Sequence, residues 1–306
     1  MSSLAAGALQ VTGVALAPLL PGAIQSAKAR LQGRRGASPL QPYRVLGRLW
    51  RKSTVDPEGT GMVYRAAPAL AGACLLLAIA LVPLGGRSGD WSLGNDALVL
   101  VGLLALARFA VTAAAWDTSN GFALMGAARD LTLAVFGEAL LLLALLVAAL
   151  PARSTDLVAM TGAAAGTGIW GEPAHWCGAL AFALVVLVET GRQPVDNPDT
   201  HLELTMIHEG PLLEYAGRDL AYLHWVAAAR HWVILTLAAQ LFLPHPLGFA
   251  GGVATLAGGL VALCAALAVT ETFQAKMRIL RVPSLLTIGS LVALVGVGSW
   301  VAGGGS

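Results

Sequence analysis

An all-α, polytopic membrane protein of about eight transmembrane helices with long cytoplasmic loops is the fold class this sequence predicts. Three observations carry it. Hydrophobic residues make up 57% of the 306 and charged residues only 12%, where a soluble domain carries about a quarter charged. Eight stretches approach the roughly 20 apolar residues needed to cross a bilayer core of about 30 Å. The basic residues fall almost entirely on alternate connections between those stretches.

In chain order the expected spans are 4–26, 66–84, 96–115, 130–150, 174–189, 231–246, 250–270 and 283–302, the fifth and sixth being short. The chain begins without a charged segment leading to a small-residue cleavage site, so residues 4–24 are expected to be a retained first helix. Pro18, Pro21, Pro83 and Pro244 fall near span ends, where a broken hydrogen-bond ladder costs least. Runs such as AAGAL and AGGVATLAGGLVAL suit close helix packing in lipid. Residues 1–306 are expected to form a single integral membrane domain, with a basic loop at 28–65 and an acidic loop at 190–230. No repeat with a period of 20–50 residues is visible, which excludes a solenoid. The three cysteines, Cys74, Cys177 and Cys264, lie far apart in or beside apolar segments and match no zinc or iron–sulfur spacing.

Orientation follows from the basic residues. Loops 28–65, 116–129, 190–230 and 271–282 hold sixteen of the nineteen Lys and Arg residues. The opposite side has Arg87 and Arg153, and Arg108 falls inside the third span. This places both termini outside and the acidic loop in the cytoplasm.

That loop is the stretch the helices serve. From Glu189 to Asp219 it carries seven of the seventeen carboxylates, and His201, His208 and His224 are three of the six histidines. Pro194 and Pro198 stop it from extending the helix before it. Thr200 to Glu203 has the form of a capping box, so Glu203 has a structural role available beside proton handling. Asp199 is equally a first-turn acid. Glu209 precedes a Gly210–Pro211 break, after which Glu214–Tyr215 begin a new helical run. His201 and His208 could share a face, but a metal site needs further ligands, so hydrogen-bonded or solvated histidines are expected and no metal.

Within the spans, Arg108, Glu138 and Glu189 are ionisable, while Arg129 and Asp130 open the fourth. A charge at mid-membrane costs at least about 2.5–3.5 kcal/mol, so each needs a partner or a wet cavity. Arg108 is expected to pair with one of the acids. Glu138 is read as functional, and for Asp130 a helix N-terminal charge effect serves nearly as well. The two acids lie about 12 Å apart along a helix, which suits a water-linked relay rather than direct exchange.

The basic loop has nine cations against Asp56 and Glu58, more than orientation requires. It is a topology signal, a surface helix on membrane lipid, or a docking face for a soluble partner. Pro39, Pro42, Tyr43 and Trp50 point to ordered structure there. No phosphate-binding loop, nucleophile elbow or catalytic triad spacing occurs, no catalytic residue is expected, and nothing beyond charge supports nucleic-acid binding.

The stretch RQPVDNPDTHLELTMIHEGPLLEYAGRDLAYLHWVAAAR resembles the signature loop of the membrane subunit shared by complex I and the energy-converting NiFe hydrogenases. KARLQGRRGASPLQPYRVLGRLWRK resembles that family's first-loop pattern, SNGFALMGAARDLTLAVFGEALLLLAL its pattern entering the fourth helix, and ETFQAKMRILRVPSLL the pattern ending its seventh. The matches span residues 28–286 in the right order. The D-N-P-x-T-H-L-E-L-T-M-x-H-E run is similar to the formate hydrogenlyase and hydrogenase-4 branch. Complex I relatives show P-F-D-L-x-E-x-E-x-E-L instead, and this departure puts quinone binding in question.

The resemblance implies a non-catalytic subunit that anchors a hydrogenase-like module to antiporter-like membrane subunits and links its redox chemistry to proton movement. It implies a proton path through Glu138, Glu189, Asp196, Glu203, Glu209 and Glu214, with Arg129 and Arg192 as charge partners; the cost of membrane charges adds Asp130 to the acids and Arg108 to the partners. Arg30, Arg34, Arg35, Arg44, Arg48, Arg51, Lys276, Arg278 and Arg281 would dock hydrogenase-like large and small subunits and an iron–sulfur protein. This chain would bind no cofactor, the NiFe centre and iron–sulfur clusters residing in those partners. Two other functions stay open: a quinone-site subunit of a complex I-like dehydrogenase, and a stand-alone ion transporter. The last would show paired broken helices in two halves, a pairing the sequence lacks.

Overall fold

The computed structural model describes residues 3–85, 94–196, 207–246 and 248–304, and among these every regular element is helical. The capping-box residues Thr200 and Glu203, with Asp199 and His201, lie outside them. The first span is two helices, α1 (Ser3–Leu16) and α2 (Leu19–Leu31), bent by 48° at the break. Pro18 sits in that break and lacks the N–H that would continue the ladder. A short helix, α3 (Gln41–Trp50), follows in the basic segment. It leaves Arg44 and Arg48 exposed and turns Leu46 and Leu49 inward, as helical spacing of apolar residues dictates.

Next come α4 (Met62–Leu81) and α5 (Ala97–Asp117), an antiparallel pair. Asp117, at the end of α5, accepts hydrogen bonds from the backbone N–H of Gly61 (2.9 Å) and Tyr64 (3.0 Å). One carboxylate thereby caps the start of its neighbour. At the other end Asp96 caps α5 through Leu98 N–H, and Asp156 caps α7 (Leu157–Ala164) through Ala159 N–H. Backbone bonds Ala97 N–H to Thr155 O (2.9 Å) and Leu157 N–H to Asn95 O (2.7 Å) join these two helix starts.

Helix α6 (Gly121–Ala149) has 29 residues, about 43 Å at 1.5 Å per residue, and overshoots the bilayer core. Asn120 caps it by accepting from Phe122 and Ala123. Asp130 and Arg129 therefore lie in its third turn rather than at its start, so the N-terminal charge effect expected for Asp130 does not apply: the electrostatic influence of a helix end fades within one turn. Helix α8 (Pro173–Glu189) has 17 residues, short for a perpendicular crossing. The polar loop ends at α9 (Gly217–Phe242), so residues 217–230, expected in the loop, are helical. The polarity of that first part, with Arg218, Asp219 and His224, masks its helical pattern. The helical run expected from Glu214 starts instead at Gly217, whose φ of +57° and contact with the Ser53 carbonyl leave no room for a Cβ. His231 is consequently inside α9, not at its end.

Helices α10 (Phe249–Phe273) and α11 (Val282–Ala302) complete the chain. Among the described residues six helices (α4, α5, α6, α9, α10, and α11 with the turn before it) are long and apolar enough to cross a membrane, and the bent pair makes up to seven. Apolar α8 coincides with the fifth expected span but falls short of that length, so the expected eight is an approximate count. Helix α9 is the most buried of the six and α11 the least. It packs on α3, α4, α8 and α10, while α6, α8 and α11 form a second packed group.

Candidate functional site

Where α5, α6, α8 and α9 meet, the structure buries a network of charged side chains. Arg108, midway along α5, gives Nη2 to both oxygens of Glu189 at 2.9 Å. Glu189 is the last residue of α8, and Arg230 of α9 donates to it at 2.6 Å. A second Arg230 nitrogen donates to the Leu104 carbonyl at 2.6 Å. Arg108 also lies 3.5 Å from Glu138 and 3.8 Å from Asp130, both on α6. The two acids are eight residues apart on one side of α6, and a single guanidinium spans the gap between them. Arg108, Asp130 and Glu189 are each under 9% exposed, while the Glu138 side chain is 30% exposed.

Loop residue His208 closes this network. Its Nδ1 is 3.0 Å from Asp130 Oδ1. Gly191, at φ +60°, permits the approach: a Cβ there would stand 2.5 Å from the His208 ring. Gly126 of α6 does the same for Gly210, with a hypothetical Cβ 2.6 Å from its Cα. Burial alone would lower the His208 pKa, but the Asp130 hydrogen bond and charge, with Asp196 beyond, raise it above the ordinary 6.5. A cavity of about 200 Å³ lies beside the network, lined by Arg108, Asp130, Glu189, His208, Glu209 and His224 among others.

A second cluster lies on the other flank of α9. Glu271, the sole carboxylate of α10, meets Arg192 at 2.9 Å and Lys28 of α2 at 3.2 Å. Arg192 Nε also donates to His231 Nε2 at 3.4 Å. Gln193 donates to the Glu271 and Gln274 carbonyls, and Met277 N–H to Pro194 O at 2.8 Å. These bonds tie the start of the polar loop to the end of α10. Lys276, expected on a docking face, is half-buried and pairs with Asp196 at 2.7 Å; the loop start draws it inward.

Of the expected proton-handling residues, the structure thus gathers Asp130, Glu138 and Glu189 into one network, with Arg108 at its centre. Asp196 and Glu209 line the cavity beside it. Glu214 sits apart, bonded to Asn120 at the α6 cap, and Glu203 lies outside the described residues. Arg192 pairs as a charge partner, though with Glu271. Arg129 has no ion pair among the described residues, and one of its guanidinium nitrogens is buried there without a hydrogen-bond partner. Arg30, Arg34, Arg35, Arg44, Arg48, Arg51, Arg278 and Arg281 are all exposed. No group of three metal-ligating side chains occurs among the described residues.

Sequence reasoning missed Glu271, Lys28, His208, Arg230 and His231 as members. Glu271 carried a usable signal, an acid in an otherwise apolar span, but the span was ended one residue short of it. Arg230 and His231 were hidden by the late start given to α9. Nothing in local sequence marks His208, since its partner is 78 positions away.

The family model described as NADH dehydrogenase matches residues 5–299. Hydrogenase-4 component C of Escherichia coli (strain K12) is 36% identical over 231 residues, covering 75% of this chain and 71% of that protein. Formate hydrogenlyase subunit 4 of the same strain is 34% identical over 240 residues, covering 75% and 74%. In fold, the chain superposes on a chain of the membrane-bound sulfane sulfur reductase, an archaeal respiratory membrane complex, with a TM-score of 0.82 at 21% identity, over 94% of this chain and 95% of that one. By their names these relatives are components of larger assemblies. With an all-helical multi-pass architecture and a match over nearly its whole length, the chain belongs to the NADH dehydrogenase family.

Proposed function

We propose that this chain is the membrane subunit of a formate hydrogenlyase- or hydrogenase-4-like respiratory complex. It anchors a peripheral hydrogenase-like module and links that module's redox chemistry to proton translocation. The observation that carries the reading is the buried network under the polar loop. It gathers three acids and two arginines out of water, and a charge change at the loop would be felt among them, since electrostatic interactions weaken least where water is excluded. The identity to the two hydrogenase-type relatives supports the branch.

In this reading the exposed arginines of the α2–α3 segment and of the turn before α11 face hydrogenase-like large and small subunits and an iron–sulfur protein. Antiporter-like membrane subunits and lipid cover the helices. The NiFe centre and the iron–sulfur clusters belong to those partners, and this chain serves as a non-catalytic subunit of an oxidoreductase. In this reading these loops lie in the cytoplasm of a prokaryote with both termini outside, which the excess of basic residues on the loops supports. Purification in a gentle detergent with mass spectrometry tests the reading. Co-purifying hydrogenase-like, iron–sulfur and antiporter-like subunits are the expected result, and a chain that purifies alone, folded and stable, defeats it.

A second reading, a quinone-site subunit, draws on one observation. An apolar groove of about 350 Å³ runs between α1, α3, α4 and α9, lined by Val14, Leu46, Trp50, Leu76, Tyr222 and Trp225. Quinone-dependent turnover of the purified complex, lost in a Tyr222→Ala variant, would favour it over the first.

A further inference from the structure

His208 lines the cavity and meets the charged network through one ring nitrogen. Nδ1 meets Asp130 at 3.0 Å. Nε2 is buried, has no hydrogen-bond partner among the described residues, and belongs to a ring that lines the cavity. A neutral imidazole that donates from one nitrogen leaves the other free to accept. We propose that His208 is the port through which protons pass between the loop cavity and Asp130, an extension that rests on the functional reading above.

The formal charges of the network support it. Arg108 and Arg230 contribute +2, and Asp130, Glu138 and Glu189 contribute −3, so the groups in direct contact fall one positive charge short. A proton on His208 completes the balance. The other titratable groups facing the cavity are Asp196, Glu209, His224 and His231. Arginine cannot relay, because its guanidinium does not give up a proton in proteins. Of the two groups in contact with Asp130, Arg108 and His208, that leaves the imidazole.

The step balances. A cavity water admitted to Nε2, which the packed ring otherwise buries, gives it a proton and leaves hydroxide, which the next incoming proton neutralises. Nδ1 gives its own proton to Asp130 Oδ1, so the ring returns to neutral as the opposite tautomer. Rotation of the ring, or exchange through cavity water, restores the first tautomer. His208 makes no bond to a redox group, and no oxidant or reductant is involved.

The test uses the whole complex in phospholipid vesicles, driven by reduced methyl viologen, with a pH-sensitive dye trapped inside. His208→Gln, which keeps a donor toward Asp130, is expected to assemble and to move protons roughly 10²-fold more slowly than wild type, the scale of a lost proton-transfer group. His208→Ala is expected to regain proton movement with added imidazole, and a series of methylimidazoles should give rates that track their basicity. A structural role alone would not follow base strength. If His208→Gln moves protons at the wild-type rate, or if rescue is absent or independent of basicity, the port assignment fails. If neither variant assembles, the wild-type profile decides: proton movement that stays flat between about pH 6 and 9 overturns it. A wild-type complex that turns over without moving protons defeats the functional reading itself, a result distinct from all of these.

Discussion

Arg108 grips both oxygens of Glu189 at 2.9 Å from the middle of α5, while its other nitrogens lie 3.5 Å from Glu138 and 3.8 Å from Asp130. One cation therefore serves three acids from two helices. Replacing it with Met leaves Glu138 without a contacting cation, Asp130 with His208 alone and Glu189 with Arg230 alone. Breaking a buried pair costs about 3–5 kcal/mol. The expected outcome for Arg108→Met is a sharp loss of thermal stability and of assembled complex, measured by detergent melting curves. Arg108→Lys, which cannot grip two oxygens in one plane, should fall between.

Glu138 differs from the other two acids because its side chain is partly exposed. Glu138→Gln removes a charge but preserves shape, and assembly should survive. The ratio of protons moved to electrons transferred in vesicles should drop. A wild-type ratio would remove Glu138 from the path.

Glu271→Gln leaves Lys28 and Arg192 buried without their shared carboxylate. The predicted effect is a loss of about 3–5 kcal/mol, felt where α2 meets α10. Hydrogen exchange should rise at the end of α2 and the start of the polar loop. Unchanged exchange there would show that the pair of cations is held some other way.

The Asp130–His208 bond has a pH signature. His208 has a raised folded pKa, so its contribution is fully present below the unfolded value of 6.5 and is lost as pH rises through the raised value. Proteolysis around residues 207–216 should therefore be slow in mild acid and faster in alkali. In Asp130→Asn that dependence should vanish, since the raising influence is gone. An alkaline rise that survives in the variant would assign the latch to another group.

Gly126 and Gly210 touch backbone to backbone. Gly126→Ala should lift the loop from α6 at a cost of about 1–3 kcal/mol, the range for overpacking. Accelerated proteolysis of the same loop at every pH would report it, separating this steric effect from the titratable one.

Much of the helical order and the charge asymmetry can be read directly from the chain, because apolar runs and alternating basic loops are local signals. The starts of α6 and α9 are not. Asp130 in one and Arg230 in the other are charged residues whose partners come from other helices and the loop. The pairings of Arg108 with Glu189 and of Asp130 with His208 are contacts 81 and 78 positions apart. Hydropathy reports that such charges need partners, but not which ones. Glu138 and Glu189 were visible as costly charges in apolar spans. Lys28 looked like one more basic loop residue until α2 was seen to carry it to Glu271.

Tyr64 and Tyr215 stack at 4.2 Å and bond reciprocally, Tyr64 Oη to the Glu214 carbonyl and Tyr215 Oη to the Tyr64 carbonyl, each at 2.8 Å. Burial raises the Tyr215 pKa further from neutrality, so this joint does not respond to pH in the physiological range. Seven residues upstream His208 does respond. The described residues between them are thus fastened unevenly, by an aromatic joint indifferent to pH at one end and by a contact that weakens in alkali at the other, so alkali is expected to loosen the cavity side first while α4 and α9 stay in register.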